Sequence, residues 1–157
     1  MNVLVIVESC FGNTAAIADA VAAGLRSAGA VATVSDAASA PPLASHDLVV
    51  IGAPTHNLGL PTPASRRQAV AHGGSAPATG VAEWLGGVGR LAIRVAAFDT
   101  AVPGAFSGSA AKKIATRARR LGATVSGRES FTVSGSPAVL TDGELDRARA
   151  WGVSLAG

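Results

Sequence analysis

The chain has no tyrosine, one cysteine, one methionine and only two lysines, and 15% of its residues are charged. A single cysteine, Cys10, excludes an internal disulfide and any multi-cysteine zinc or iron–sulfur site. The three histidines, His46, His56 and His72, lie far apart and lack metal-ligand spacing, so no metal is expected. No apolar run approaches the ~20 residues of a membrane-spanning helix. The opening MNVLVIVES has no basic leader, which leads us to expect a cytoplasmic protein. The dinucleotide fingerprint Gly-x-Gly-x-x-Gly, the triphosphate loop ending in Gly-Lys-Ser/Thr and the Gly-x-Ser-x-Gly elbow are all missing. Scarce charge does not imply disorder, because 48% of the residues are hydrophobic.

The 157 residues suffice for one domain with a real core, expected to span 1–157. Net charge is +3 and unevenly distributed. Residues 1–60 carry four acids and one base, whereas 107–128 carry six bases and no acid. Lys113, Arg117 and Arg120 recur at helical spacing and share one face. Such a face is either a solvated helix surface or a docking site for an acidic partner. No aromatics interleave with these bases, which argues against a single-stranded nucleic-acid platform.

Unbroken apolar runs at Val3–Val7 and 47–52 read as strands buried on both faces. Weaker strands are expected at 30–34, 91–98 and 123–134, the last interrupted near Gly127-Arg128-Glu129. Helical periodicity marks 14–28, with Ile17, Val21 and Leu25 on one side, and 108–121, with Ala111, Ile114, Ala118 and Leu121. Shorter helices are expected at 64–72 and 81–88, and a closing helix at 142–155 with Thr141 and Glu144 forming a capping box. Strands alternating with helices give a doubly wound α/β fold: a five-stranded parallel sheet between two helical layers. Trp84 and Trp151 fall on helices and read as packing residues.

Ligands of such sheets bind beyond the carboxyl ends of the strands. The loops there are 8–14, 53–63 and 99–107. The first, Glu8-Ser9-Cys10-Phe11-Gly12-Asn13-Thr14, joins a buried strand to a helix and holds hydroxyls but no cation. It reads as a single-phosphate cradle at a helix N-terminus, or equally as an ordinary turn capped by Ser9 or Asn13. Cys10 reads as a small, partly buried filler rather than a redox thiol. Glu8 should turn away from any anion or bond loop amides.

The motif Ser9-x-x-Gly12-Asn13-Thr14 after VLVIV resembles the phosphate loop of the flavodoxin family, and short-chain actinobacterial members read Glu-Ser-x-Phe-Gly-Asn-Thr here. Gly52-Ala53-Pro54-Thr55-His56, Ala97-Phe98-Asp99-Thr100 and 106–113 are also similar to that family. The resemblance runs over nearly the whole chain and implies strand order 2-1-3-4-5 and an FMN site. Ser9, Asn13, Thr14 and the amides of Cys10, Phe11 and Gly12 would hold the phosphate. Pro54, Thr55, His56, Asn57, Leu58 and Gly59 would lie against one side of the ring. Phe98, Asp99, Thr100 and Phe106 would flank its pyrimidine edge, with Asp99 near N3 and O2. The chain departs from the family in three ways. No Tyr or Trp lies in a site loop, leaving His56 and Phe98 or Phe106 to bracket the ring. Phe11 replaces a hydroxyl. The sequence pI of about 10.0 is basic where flavodoxins are acidic.

These features imply an electron carrier serving a reductase or an electron acceptor. The alternatives are a flavin-dependent NAD(P)H:quinone reductase, suggested by the long 57–88 connection, and a flavin-free interaction module.

Overall fold

The computed structural model describes residues 1–157. Six strands form one sheet in the order β2-β1-β3-β4-β5-β6. They are β1 (Asn2–Val7), β2 (Val31–Asp36), β3 (Leu48–Pro54), β4 (Arg94–Ala101), β5 (Thr124–Ser134) and β6 (Val139–Leu140). The first five are parallel, in the expected order 2-1-3-4-5. The sixth is a two-residue antiparallel addition to β5 that hydropathy alone does not reveal. Five helices connect them: α1 (Asn13–Ser27), α2 (Pro63–Ala71), α3 (Val81–Gly87), α4 (Ala110–Arg120) and α5 (Glu144–Leu155).

Alternate side chains of the central strands feed two cores. Val3, Val5 and Val7 pack with Ile17, Val21 and Leu25 of α1 and with α5. Leu4, Ile6, Val49 and Ile51 pack with Leu85 of α3 and Ile114 of α4. This is the expected three-layer arrangement, and it places the loops after β1, β3 and β4 at one end of the sheet.

Three local expectations need correction. Strand β4 runs over 94–101, not 91–98. Leu91 is buried but stands before the strand, where its N–H bonds Leu121 O. The strand then continues through Asp99 and Thr100, whose polar groups are satisfied inside the protein. Strand β5 is continuous through Gly127, and its irregularity is a register shift opposite Val95/Ala96. Helix α5 starts from Gly143 in the left-handed region, without a side-chain cap. Thr141 Oγ1 instead donates to Thr132 O, and the Glu144 carboxylate accepts from Thr132 N and Arg147.

Candidate functional site: a cradle at the carboxyl end of the sheet

The loop between β1 and α1 turns tightly because Gly12 adopts φ 89°. Its N–H donates to Ser9 Oγ at 3.2 Å. The N–H groups of residues 9–11 and 13–15 find no acceptor within the protein, and the first turn of α1 has neither a side-chain cap nor an acidic residue. Six unpaired donors gathered at the positive end of a 15-residue helix make a cradle for an anion.

The side chains expected to assist are only partly free. Thr14 Oγ1 is buried against Thr100 Oγ1 at 2.8 Å, and Asn13 Nδ2 donates to Ala138 O at 2.8 Å. Ser9 Oγ, which accepts from Gly12 N, keeps its proton to give an anion. Cys10 is buried, its carbonyl accepting from Ser75 N. Burial, reinforced by Glu8, pushes its thiol pKa up, which agrees with a filler. Phe11 is 43% exposed at the loop tip.

Beyond the cradle lies a cavity of about 160 Å³. Cys10, Phe11, Asn13 and Thr14 form its floor, Pro54–His56 one wall and Thr100–Val102 the other. Val133 and Ala138 close its far side. Sequence reading missed these two, because the hairpin between β5 and β6 carries no chemical motif. A second, more open cavity of about 320 Å³ shares Phe11 and His56 with the first. It is completed by Asn57, Ser65, Gln68, Ala69 and His72. His56 stands between the two, with Nδ1 2.9 Å from Ser65 Oγ. Burial lowers its pKa, with Arg66 adding to the effect and Glu8 opposing it, so the ring is neutral near pH 7.

Residues 56–59 form a tight turn. His56 and Gly59 exchange backbone hydrogen bonds, and Asn57 and Leu58 both have positive φ, 45° and 72°. The turn puts Leu58 out into solvent, and a β-bridge ties it to Gly108 on the approach to α4. An L-residue at φ 72° is strained, and such strain gathers at functional loops.

Two expected ring contacts do not reach this surface. Phe98 is fully buried because β4 extends past it. Its ring lies over Gly52 and packs edge-on with Phe131 and Trp151, each 6.2 Å away between centroids. Asp99 is also fully buried and accepts four hydrogen bonds. The donors are Thr55 Oγ1, Ser109 Oγ, Ala111 N and Ser130 Oγ. Its carboxylate joins β3, β5 and the start of α4 rather than meeting a ligand. Phe106, by contrast, is 91% exposed on the loop after β4.

Glu8 turns away from the cradle, as charge repulsion requires. It accepts from Arg66 Nε at 2.6 Å and from Val81 N at 2.9 Å. Arg66 also holds Glu83 at 2.7 Å, and that ion pair keeps the Glu83 carboxyl down at about 2. Sequence reading left Arg66 unassigned, although an acid at the end of a buried strand demands a cation nearby.

An uncapped first helical turn, set where parallel strands end and walled by the loops after β3 and β4, is a geometry suited to an anionic ligand. The chain has a flavodoxin-like fold. A flavodoxin-domain model matches residues 4–65, the segment from β1 into α2. A flavodoxin from the domain Archaea superposes with a TM-score of 0.70 at 23% identity, over 99% of this chain and 96% of that one. Oxidised Flavodoxin 2 from Bacillus cereus gives 0.70 at 17% identity, over 99% and 98%. Two-electron reduced Megasphaera elsdenii flavodoxin gives 0.65 at 19%, over 97% and 98%. No curated protein matches the sequence. The flavodoxin-like fold thus spans the whole chain, whereas the sequence match rests on its first part.

Proposed function

We propose that residues 1–157 are one FMN-binding domain that carries electrons between partner proteins. The observation that carries this reading is the set of unpaired N–H groups at residues 9–11 and 13–15, in a loop that itself holds no Lys or Arg. Such a cradle suits one phosphate monoester rather than a polyphosphate. Bound FMN would supply the one- and two-electron chemistry that no side chain here possesses. The protein's part is to hold and shield it. The amides and the Ser9 hydroxyl grip the phosphate. Pro54, Thr55, His56 and the Asn57–Gly59 turn form the near wall, with Phe11 in the floor. Thr100 and the loop bearing Phe106 form the far wall. Neutral His56 offers a ring nitrogen to the cavity without introducing a charge.

The test is to mix the purified protein with FMN, desalt it, and record absorbance and fluorescence. A retained, quenched flavin is expected. Riboflavin, which lacks the phosphate, should bind about tenfold more weakly or worse if charge-assisted N–H contacts hold FMN. A colourless protein would overturn the reading and leave a flavin-free interaction module.

The second cavity, about 320 Å³ and sharing Phe11 and His56 with the first, supports one other reading. A planar second substrate would fit against the His56 side, as a flavin-dependent NAD(P)H:quinone reductase requires. Steady NAD(P)H consumption with a quinone, by the FMN-saturated protein alone, would favour it over a carrier.

A further inference from the structure

The charges of this protein are sorted between its two helical layers. Helices α1 and α5 together carry three acids and three bases. The segments 61–93 and 102–123, which contain α2, α3 and α4, carry eight bases and one acid, Glu83. All four glutamates of the chain are ion-paired internally, Glu8 and Glu83 to Arg66 and Glu129 and Glu144 to Arg147. None of the five cations of α4 has a carboxylate within ion-pair distance. Lys112, Lys113, Arg119 and Arg120 are exposed, while Arg117 donates to Ala82 O.

This basic helix begins at the rim of the candidate site. Gly108, just ahead of it, bridges to Leu58 in the turn after β3. A methyl group placed on Gly59 would lie 3.7 Å from the Lys113 stem. The same rim exposes Leu58, Val102 and Phe106. An apolar centre bordered by unpaired charge of one sign is the make-up of a transient protein interface. A phosphate backbone has no use for the apolar part, and α4 carries no aromatic on which a base would stack.

We propose that the face formed by α4, the 102–109 loop and the Leu58 turn docks an acidic protein, with its carboxylates against Lys112, Lys113, Arg119 and Arg120. The orientation brings the partner to the open edge of the cavity. This deepens the electron-carrier reading and rests on it for its purpose, but the docking itself needs no flavin.

The test uses the full chain without flavin, isotope-labelled, titrated with an acidic [2Fe–2S] ferredoxin and followed by amide chemical shifts. Shifts and broadening should be confined to α4, the 102–109 loop and residues 56–59, and binding should weaken as salt rises. The triple variant K112E/R119E/R120E should bind about tenfold more weakly or worse, the sum of three exposed pairs. Arg149→Glu, on α5, should bind as the parent does. Perturbations spread over both helical layers, no binding at low ionic strength, or tighter binding of a short DNA duplex to the same face would each overturn the proposal. Because the readout is taken without flavin, failure to load FMN leaves it intact, and failure to dock leaves the flavin reading intact.

Discussion

Asp99 shows how a residue can matter to a site it never touches. Its side chain is sealed inside, and its carboxylate draws donors from Thr55, Ser109, Ala111 and Ser130. Thr55 in turn accepts from Ala110 N, so the wall of the cavity is pinned to the first turn of α4. Asparagine at this position would set an N–H₂ either against Ala111 N–H, which can only donate, or against the Ser130 hydroxyl, which would have to turn round to accept it. Asp99→Asn should therefore destabilise the protein by about 2–4 kcal/mol, read from the urea midpoint. A change within error would mean that the carboxylate does not organise the loops. His56 makes the complementary case. Its pKa is held below 6.5 in the folded protein by burial. The unfolded chain then binds the proton first, so stability should be full above 6.5 and fall as pH drops toward the lowered folded value. His56→Gln should flatten that part of the stability profile, measured from about pH 7.5 to about pH 5. An unchanged slope would assign the dependence to other groups.

At the scale of elements, hydropathy revealed what packs by pattern and hid what packs by partner. The VLVIV strand, the 47–52 strand and the stripes of α1 and α4 were legible because their burial follows the period of the element. The end of β4 was not, since Asp99 and Thr100 look like loop residues until their partners on β3, β5 and α1 are known. Thr141 and Glu144 had the spacing of a capping box, yet Glu144 is drawn instead to Thr132 N and Arg147 by tertiary contact. The strand-to-helix loop at 8–14 could be placed from the sequence, but not the inward turn of Thr14 or the use of Asn13 to hold the β5–β6 hairpin. The α1–α5 contact was also invisible, because it is made by what is missing. A Cβ on Gly24 would fall 2.0 Å from Arg149 O, and one on Gly152 would fall 2.2 Å from Val21 O. The two helices thus meet backbone to backbone. Gly24→Ala and Gly152→Ala should each lower stability by about 1–3 kcal/mol despite the better helix propensity of alanine. Gains in thermal midpoint, as propensity alone predicts, would show that the helices separate freely.

At the scale of the whole molecule, the two cores hold the layers while the charges strain one of them. Every glutamate is paired internally, and within α4 Lys113, Arg117 and Arg120 follow one another a turn apart with no acid between them. Like charges at that spacing repel, and salt screens them over a distance of ~8–10 Å. Added salt should therefore raise the thermal midpoint, most steeply at low ionic strength, where the repulsion is least screened. Lys113→Glu, which replaces a repulsion with Arg117 one turn on by an attraction, should stabilise the protein at low salt by about 0.3–0.5 kcal/mol and lose that advantage at high salt. The same substitution weakens the face proposed for the acidic partner. Stability and docking would then respond to one side chain with opposite signs, which distinguishes a surface kept basic for binding from one that is merely solvated. If Lys113→Glu instead destabilised the protein at low salt, the α4 cations would not be in mutual repulsion, and the two-layer picture of its electrostatics would have to be abandoned.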